Sequence, residues 1–326
     1  MIPELYQLSY LAKWGGRRDR LPNGGIEVKR KMVRADTTAP GRRAGLTAGG
    51  EWASLSVRPR PMNPTTETAA VLSHADLGAG YRRLSLHAPA IAAGAAPGQF
   101  VQLRVPGLEA SALRRPFSIC DADPAAGTLA ILYKRVGRGT AAMAPLAPGD
   151  GADLVGPLGR GFPLPPPDAA PLLVGGGYGV APLYFLARTI LAGGRREIHL
   201  FVGGRTASDL LLLDDFRALG VAVHPATNDG SLGAKGLVTA PLDGFLAGAR
   251  RPVLSACGPA PMLRALDERA LAGGFPAWLS LDRRMACGVG ACCGCAQKVR
   301  GPDGAMRVAM VCSDGPVFPR GAIVWG

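Results

Sequence analysis

Four of the seven cysteines lie within nine residues, in the stretch CGVGACCGC from Cys287 to Cys295, and Cys312 follows further on. Taken together, Cys287, Cys292, Cys295 and Cys312 have the spacing C-x4-C-x2-C-x16-C. This spacing is typical of a plant-type [2Fe-2S] cluster held by four thiolates. No other feature constrains the fold as strongly, because the backbone must bring four side chains to one small inorganic core.

Three glycines separate these cysteines, at Gly288, Gly290 and Gly294. Glycine lets the chain turn tightly and approach a bound core closely, and backbone amides can then point at the sulfurs. Buried free thiols would need no such glycine scaffold. A disulfide framework also fits poorly, because we find no secretory signal with an apolar core.

Two alternatives bear on the ligand set. A structural zinc site usually combines two C-x2-4-C pairs, whereas Cys312 stands alone, so zinc is the lesser alternative. Choosing Cys293 instead of Cys292 would give C-x5-C followed by C-x-C, which is too tight. We therefore predict that Cys287, Cys292, Cys295 and Cys312 are the metal ligands and that Cys293 is not.

The net charge of +13 would suggest a nucleic-acid partner if it were spread evenly over the 326 residues. Residues 1–61, however, hold twelve Lys and Arg against five Asp and Glu, which is +7, and the other 265 residues carry only +6. We therefore expect no nucleic-acid partner. No uninterrupted apolar run approaches ~18 residues, so we expect no membrane span either.

The basic head, residues 1–61, is rich in Gly, Arg and Pro without sustained periodicity, and we predict that it is disordered. Met62 opens the segment MNPTTETAAVLSHADLG and is an alternative start for the protein. The length of the chain allows two or three domains with cores of their own.

The rest of the chain changes pattern twice, which predicts a multidomain β and α/β fold. Residues 62–165 hold short β-like runs between Gly and Pro, typical of a small antiparallel β-barrel. A proline-rich linker, FPLPPPDAAP, leads into residues 166–275, where buried strands alternate with helices and predict an α/β domain with a parallel sheet. Residues 276–326 are predicted to form a small domain around the cysteines.

Two motifs in residues 62–165 favour a bound phosphate group. RRPFSIC places arginine, proline and Ser118 along one strand, and an arginine can clamp a phosphate. VGRGT follows, with Gly137 and Gly139 freeing the backbone and Thr140 opening an apparent helix, whose N-terminus would suit a pyrophosphate. Each motif alone also fits an ordinary edge strand or a plain turn with a helix cap.

Two glycine turns follow strands of the predicted α/β domain. GGGYGVAP opens a helix without matching the G-x-G-x-x-G fingerprint in register, and CGPAPML follows a later strand. Either turn alone fits close packing of a strand against a helix, but ligands of open α/β sheets gather at such strand ends. The turns predict a nicotinamide site at Gly175, Gly176, Gly177, Cys257, Gly258 and Pro259. The four histidines form no catalytic pattern, and we predict no catalytic residue.

The order of these motifs resembles one family. RRPFSI, VGRGT, GPLGRGF, GGGYGVAP, ACGPAPM and RMACGVGACCGC…VCSDGPVF are similar to the electron-transfer subunit of type B dihydroorotate dehydrogenase, among the ferredoxin-reductase-like flavoproteins. The resemblance spans about residues 65–326 and implies an FAD-binding barrel, an NAD-binding domain and a C-terminal [2Fe-2S] domain. The FAD contacts that it implies are Arg115, Pro116, Phe117, Ser118, Leu132, Tyr133, Lys134, Gly139 and Thr140.

The resemblance also implies a function and a partner. Electrons from dihydroorotate would reach an FMN on a separate catalytic subunit, pass to the cluster and FAD of this chain, and end on NAD+, in de novo pyrimidine (UMP) biosynthesis. The implied assembly is a cytoplasmic heterotetramer with two copies of each subunit. A flavin suits the position between the other carriers because it exchanges either one or two electrons.

Other functions stay open on the sequence. One is a ferredoxin:NAD(P) reductase-type subunit of another complex, such as a sulfide dehydrogenase or a bifurcating transhydrogenase. Another is a cluster-binding scaffold or redox sensor without a flavin. The choice between NAD and NADP is also open, since Arg205 could meet a 2′-phosphate or be a solvated loop residue. Tyr178 departs from the family pattern, where a small aliphatic residue is more usual, and could narrow the nicotinamide cleft.

Overall fold

The structure is a computed structural model that describes residues 63–108, 113–195 and 197–326. The predictions for residues 1–61, a disordered head, and for a start at Met62 lie outside the described residues. The described chain contains a closed barrel, a seven-stranded sheet and a two-stranded hairpin. The predicted fold class is therefore confirmed.

The barrel is antiparallel and comes first in the described chain. Its strands are β1 (Thr65–Gly78), β2 (Tyr81–His87), β3 (Phe100–Leu103), β4 (Arg115–Asp123), β5 (Thr128–Lys134) and β6 (Gly151–Leu158), with short helices α1 (Pro89–Ala92) and α2 (Arg138–Ala142) between them. Around the barrel the strands follow the order β1-β2-β5-β4-β3-β6. Because alternate side chains face inward, the interior is filled by apolar residues such as Leu84, Leu103, Ile131 and Leu154.

Strand β3 is buried on both faces. Val101 and Leu103 belong to the apolar interior of the barrel. Phe100 instead packs in a second apolar cluster, together with residues of the parallel sheet and of the cysteine region. By the two-residue period of a strand, Gln102 lies on the same face as Phe100. The outer face of β3 is thus an internal contact between the barrel and the rest of the chain.

A parallel sheet follows the barrel. Its strands are β7 (Ala170–Gly176), β8 (His199–Gly204), β9 (Ala222–Thr227), β10 (Ala234–Lys235), β11 (Pro252–Cys257) and β12 (Ala277–Ser280), and its helices are α3 (Ala181–Ala192), α4 (Leu213–Ala218), α5 (Thr239–Leu246) and α6 (Ala260–Gly273). These six strands follow the order β10-β9-β8-β7-β11-β12. The chain therefore builds outward from β7 in one direction and then returns to add β11 and β12 on the other side.

Helix α6 shows how the sequence sets these elements. Leu263, Leu266, Asp267 and Ala270 are its buried residues, and their spacing of three and four places them on one face of a helix. Gly274 ends the helix in a left-handed conformation with φ +70°, which glycine adopts without the penalty of a Cβ. With 14 residues, α6 is the longest of the described helices, none of which has the length and apolar character needed to cross a membrane.

The cysteine region is tied to the parallel sheet. It contains a hairpin of β13 (Ala296–Arg300) and β14 (Met306–Met310), and then β15 (Val317–Pro319), which pairs antiparallel with β12 at the sheet edge. Asp267 on α6 accepts hydrogen bonds from the Gly321 amide (2.7 Å) and from Trp325 Nε1 (2.8 Å). Both β12 and β15 lie within the predicted C-terminal domain, residues 276–326, and yet belong to the sheet. The domain boundaries after residues 61, 165 and 275 stay predictions.

Candidate functional site

The point at which the strand order reverses lies between β7 and β11, and both strands end in glycine turns. A methyl group added at Gly176 would lie 2.7 Å from Pro259 Cδ, and one at Gly179 would overlap the carbonyl oxygen of Cys257. At Gly179 the two turns therefore pack backbone against backbone, which only glycine permits. In open α/β sheets this reversal point is where ligands bind.

A cavity of about 650 Å³ opens at this point. Its size is within the range of pockets for cofactor-sized ligands. The predicted contact Gly175 is not among the described residues that line the cavity, and a methyl group added there would be 3.3 Å from the Cα of Val180. The other predicted nicotinamide contacts are all among the described residues that line the cavity, namely Gly176, Gly177, Cys257, Gly258 and Pro259.

A buried carboxylate, Asp209, organises the polar wall of this cavity. It accepts hydrogen bonds from Tyr81 Oη (2.9 Å), Lys134 Nζ (3.2 Å) and Arg205 Nε (3.3 Å). Burial tends to raise the pKa of Asp209, but the hydrogen bonds from Tyr81 and Lys134 hold it below its usual value. The hydrogen bond to Tyr81 in turn raises the pKa of Lys134. Lys134 and Asp209 therefore form an ion pair, and their hydrogen bonds connect the barrel to the loop after β8 of the sheet.

A smaller cavity of about 180 Å³ lies against the barrel. Two predicted FAD contacts, Arg115 and Gly139, are not among the described residues that line it. They lie side by side instead, since a methyl group at Gly139 would be 3.2 Å from Arg115 Nε, and Arg115 donates to the Leu113 carbonyl (2.6 Å). The predicted contacts that line the cavity are Pro116, Phe117, Ser118, Leu132, Tyr133, Lys134 and Thr140.

Thr140 does not begin a helix, as the sequence suggested. Helix α2 begins at Arg138, so Thr140 is its third residue. Its Oγ1 accepts hydrogen bonds from the backbone amides of Val136 (2.9 Å) and Gly137 (3.3 Å). The Thr140 hydroxyl therefore fixes the turn before α2, because it pairs the amide of the N-cap residue Gly137 and that of the residue before it.

The two cavities share a wall. Tyr178 is part of that wall, and its side chain donates a hydrogen bond to Asp282 Oδ2 (3.1 Å) while remaining 45% exposed. Burial, with a contribution from the nearby Asp282 carboxylate, raises the pKa of Tyr178 to about 12. The residues that line both cavities are Lys134, Tyr178, Gly179, Cys257, Leu281 and Asp282.

In the cysteine loop, backbone amides point at sulfur atoms. Cys287 Sγ accepts from the amides of Val289 (3.5 Å) and Cys292 (3.4 Å), and Cys312 Sγ accepts from the amide of Gly290 (3.1 Å). Burial tends to raise the pKa of Cys287, but the amides of Val289 and Cys292 lower it to about 7. These amides thus favour the thiolate form of Cys287, the form that binds metal, whereas burial raises the pKa of Cys312 to about 12.

The other two predicted ligands receive the same kind of bond. Gly294 donates its amide to Cys292 Sγ, and Cys312 donates its amide to Cys295 Sγ, both at 3.4 Å. Among the described residues no such bond to Cys293 is found, and Cys293 is exposed with φ +56°. Amide hydrogens directed at ligand sulfurs are what an iron–sulfur cluster receives from its protein. The loop therefore fits a cluster on the four predicted ligands, which stay a prediction.

The arrangement of donors also bears on the zinc alternative. Within residues 63–108, 113–195 and 197–326, no three His, Cys, Asp or Glu side chains converge as they do around a single metal ion. A structural zinc ion needs four convergent ligands. A binuclear cluster takes two thiolates at each iron, and the spacing C-x4-C-x2-C-x16-C is the observation that favours it over zinc.

Sequence reasoning missed the residues that connect the sites. Tyr81 and Asp209 belong to no glycine motif, and only the hydrogen bonds described above bring them together. The small cavity is also lined by Phe100, Met285 and Pro316, which come from β3 and from both sides of the cysteine ligands. The sequence did carry one signal for the polar wall of the large cavity, namely the two glycines that end β8 just before Arg205.

Matches to known protein domains cover the three parts of the chain. Residues 69–162 match an oxidoreductase FAD-binding domain, and residues 173–268 match an oxidoreductase NAD-binding domain. Residues 282–324 match the iron–sulfur cluster binding domain of dihydroorotate dehydrogenase B. The predicted cofactors, FAD, NAD and an iron–sulfur cluster, agree with these three matches.

A solved structure of an NADH-dependent reduced ferredoxin-NADP oxidoreductase, studied for flavin-based electron bifurcation, is 30% identical, with a TM-score of 0.71 over 80% of this chain and 91% of that one. The ferredoxin reductase in carbazole 1,9a-dioxygenase shares the fold, with a TM-score of 0.58 and 24% identity over 66% of this chain and 68% of that one.

Relatives that match 70% of this chain are more similar still in sequence. The electron transfer subunit of dihydroorotate dehydrogenase B (NAD(+)) from Geobacillus kaustophilus is 45% identical over 70% of this chain and 86% of its own length. The corresponding subunit from Bacillus cereus strain B4264 is 42% identical over the same shares of the two chains. The chain therefore belongs to the family of dihydroorotate dehydrogenase B electron transfer subunits.

Proposed function

We propose that this chain passes electrons from a dihydroorotate-oxidising catalytic subunit to NAD+, in de novo pyrimidine biosynthesis. As a member of its family the chain is an oxidoreductase subunit, and it works with a dihydroorotate dehydrogenase catalytic subunit. We further propose that the catalytic subunit carries FMN, that the assembly holds two copies of each subunit, and that it is cytoplasmic.

One observation carries the proposal: the small cavity borders both of the other sites. On one side it shares a wall with the large cavity, through residues such as Lys134 and Tyr178. On the other side it is lined by Met285 and Pro316, which flank the cysteine ligands in the sequence. A flavin in this cavity would exchange a hydride with a nicotinamide and single electrons with a cluster.

The chain's own residues position and shield these sites. Phe117 and Tyr133 pack against each other at 5.8 Å between ring centroids on the wall of the small cavity. Ser118 offers a hydroxyl there, and Lys134 offers a cation whose partner is the buried Asp209. Tyr178 lines both cavities, so a nicotinamide ring that reaches a flavin from the large cavity would pack beside this side chain or displace it.

The test combines cofactor analysis with two assays. The full chain is co-expressed with the catalytic subunit, and Cys287, Cys292, Cys295 and Cys312 are each changed to Ser. Each change is expected to remove the cluster iron and abolish electron transfer from dihydroorotate to NAD+. Reduction of an artificial acceptor by NADH should persist, because that route needs the flavin and not the cluster.

The matched control is Cys293→Ser, which changes the same side chain one residue from a ligand. It should keep its iron and both activities. Loss of iron from Cys293→Ser with retention in Cys292→Ser would show that the ligand register is wrong by one. A wild-type complex that contains flavin and iron but does not transfer electrons from dihydroorotate would refute the proposed function.

A second candidate function rests on the 30% identical bifurcation structure. In that case the chain would be the NAD(H)-linked subunit of another flavin complex, with a ferredoxin as the electron partner. The two functions differ in the electron partner that supports turnover. Turnover with ferredoxin and NADH, and no association with the dihydroorotate-oxidising subunit, would favour the second function.

A further inference from the structure

Gln102 is a buried polar side chain between the barrel and the cysteine loop. It is only 1% exposed, and neither its Nε2 nor its Oε1 has a hydrogen-bond partner among the described residues. Buried amides almost always have partners, because leaving one unpaired is costly. The carboxamide therefore points to a group that the protein chain itself does not supply.

The nearest part of the chain to this carboxamide is the cluster loop. A methyl group built on Gly288 would lie 2.8 Å from Gln102 Cγ and 2.9 Å from its Nε2. Gly288 directly follows Cys287, and its φ of +74° turns the loop at this point. The bare Cα of Gly288 thus leaves room for the amide beside the first ligand.

The other buried glutamine of this region gives a contrast. Gln297, on β13, is 6% exposed, and it donates to the carbonyls of Lys298 and Val324, both at 3.0 Å. Its Oε1 accepts from Arg283 Nη2 (2.5 Å). Gln297 is thus fully occupied by the protein, whereas Gln102 has its donors available on the side of the cluster.

Gln102 also lies next to the flavin cavity. On the neighbouring strand β4, Gln102 pairs with Pro116. Phe100, two residues earlier on β3, pairs with Ser118 of the same strand. Pro116, Phe100 and Ser118 all line the small cavity. Gln102 therefore stands between the two proposed redox centres, on the outer face of the barrel.

We propose that the Gln102 side-chain amide donates a hydrogen bond to the iron–sulfur cluster at Cys287, and that this bond raises the cluster's reduction potential. The inference rests on the proposed function, which places the cluster in this loop. Reduction adds one negative charge to the cluster, so a donor to its sulfur stabilises the reduced form more than the oxidised form. Gln102 is thus a positioning and tuning residue rather than a ligand.

The test replaces Gln102 by Met, which keeps the length of the side chain and removes both polar groups. In the full complex, an EPR-monitored redox titration should show a more negative cluster potential, by up to a tenfold change in the one-electron equilibrium, about 59 mV. Gln102→Glu, which replaces the donor by an anion, should shift the potential further in the same direction. Iron content should stay at the wild-type level in Gln102→Met.

Gln99→Met is the matched control. Gln99 lies just before β3, three residues from Gln102, and is engaged within the protein, since it accepts from the Ala96 amide and donates to the Gly159 carbonyl, both at 2.8 Å. This control should leave the cluster potential unchanged. An equal shift in Gln99→Met and Gln102→Met would mean that barrel packing sets the potential, and the inference would be wrong.

A measurement on the unaltered sequence does not depend on how the variants fold. With glutamine labelled by ¹⁵N in its side-chain amide, the reduced cluster should show a hyperfine coupling to one such nitrogen and to its exchangeable hydrogen. No coupling in a complex with a normal cluster signal would overturn the role of Gln102 and leave the proposed function intact. No cluster signal in the wild-type complex at all would overturn both.

Discussion

Glycines are frequent in the nucleotide turns and in the cysteine loop, but the two regions need them for different reasons. In the nucleotide turns, a methyl group at Gly179 would overlap backbone atoms of Cys257 and Gly258. In the cysteine loop, Gly288 and Gly290 have φ of +74° and +83°, and the nearest atoms to an added methyl group belong to side chains. The first region lacks space because backbone atoms surround Gly179, whereas Gly288 and Gly290 in the second region hold a left-handed backbone and have only side chains as their nearest neighbours.

The difference teaches how each site would bind its ligand. Where two backbones touch, nothing can move aside, so the glycine fixes the shape of the cavity itself. Where φ is positive, the glycine fixes the direction of the amides, such as that of Gly290 toward Cys312 Sγ. Substitutions by alanine separate these two requirements.

Gly179→Ala is expected to have the largest effect. Its methyl group would meet backbone that cannot rotate away, and overpacking of this kind costs about 3 kcal/mol or more of unfolding free energy. Urea unfolding measures that loss, and NADH titration should show weaker binding, because Gly179 lines both cavities. Wild-type stability and affinity in this variant would contradict the claim that the turns have no space.

Gly290→Ala should cost less, about 1–2 kcal/mol, because its penalty is a left-handed backbone at a residue with a Cβ. The Cβ would also lie 2.8 Å from Ser313 Oγ, so space is a competing explanation. Combining the change with Ser313→Ala removes that contact. We expect the double variant to recover neither stability nor iron content. Full recovery would mean that lack of space, and not backbone conformation, is the requirement in the cysteine loop as well.

Gly244→Ala is the control for both regions and should act in the opposite direction. Gly244 is exposed within α5, and an added methyl group would have no neighbour within 4 Å. Alanine in a helix interior is favoured over glycine by about 0.5–1 kcal/mol. Thermal unfolding should show this gain while cofactor content stays the same. A loss of stability here would mean that alanine harms this protein for reasons unrelated to space or φ.

The smallest effect is expected for Cys293→Gly. Cys293 holds φ +56° without being a glycine, so the change should relieve a left-handed penalty of about 1–2 kcal/mol. Glycine also loses more conformational entropy on folding, which offsets part of the gain. The net increase in unfolding free energy is therefore about 0.5 kcal/mol. Measured iron content tests whether Cys293 is a ligand, and the midpoint of thermal unfolding tests the gain in stability. A decrease in iron would contradict the exclusion of Cys293 from the ligand set.

The parts of the fold that local pattern determines could be predicted from the sequence. Cysteine spacing indicated the cluster loop, and glycine turns after apolar strands indicated the nucleotide cavity. Alternating runs such as YRRLSLH indicated the barrel strands. In each case the information lies within one short segment of the sequence, and it does not depend on the rest of the chain.

Contacts between distant segments could not be predicted in the same way. Asp209 meets Tyr81 across 128 residues, and no local pattern marks either as a partner. Gln102 reads as an ordinary polar residue of an alternating strand, and only the packing of β3 against the cysteine loop makes it unusual. The edge strand β15 was also missed, because three residues give too short a pattern to assign.

The pairing of β15 with β12, together with the two hydrogen bonds to Asp267, has a consequence for the speed of the reaction. Electron tunnelling slows exponentially as the gap between donor and acceptor widens. A cluster on a freely swinging arm would transfer electrons only during its closest approaches. Here the chain on the far side of Cys312 is held to the sheet and to α6, so a cluster on the four predicted ligands would be tethered on that side rather than carried on a free arm.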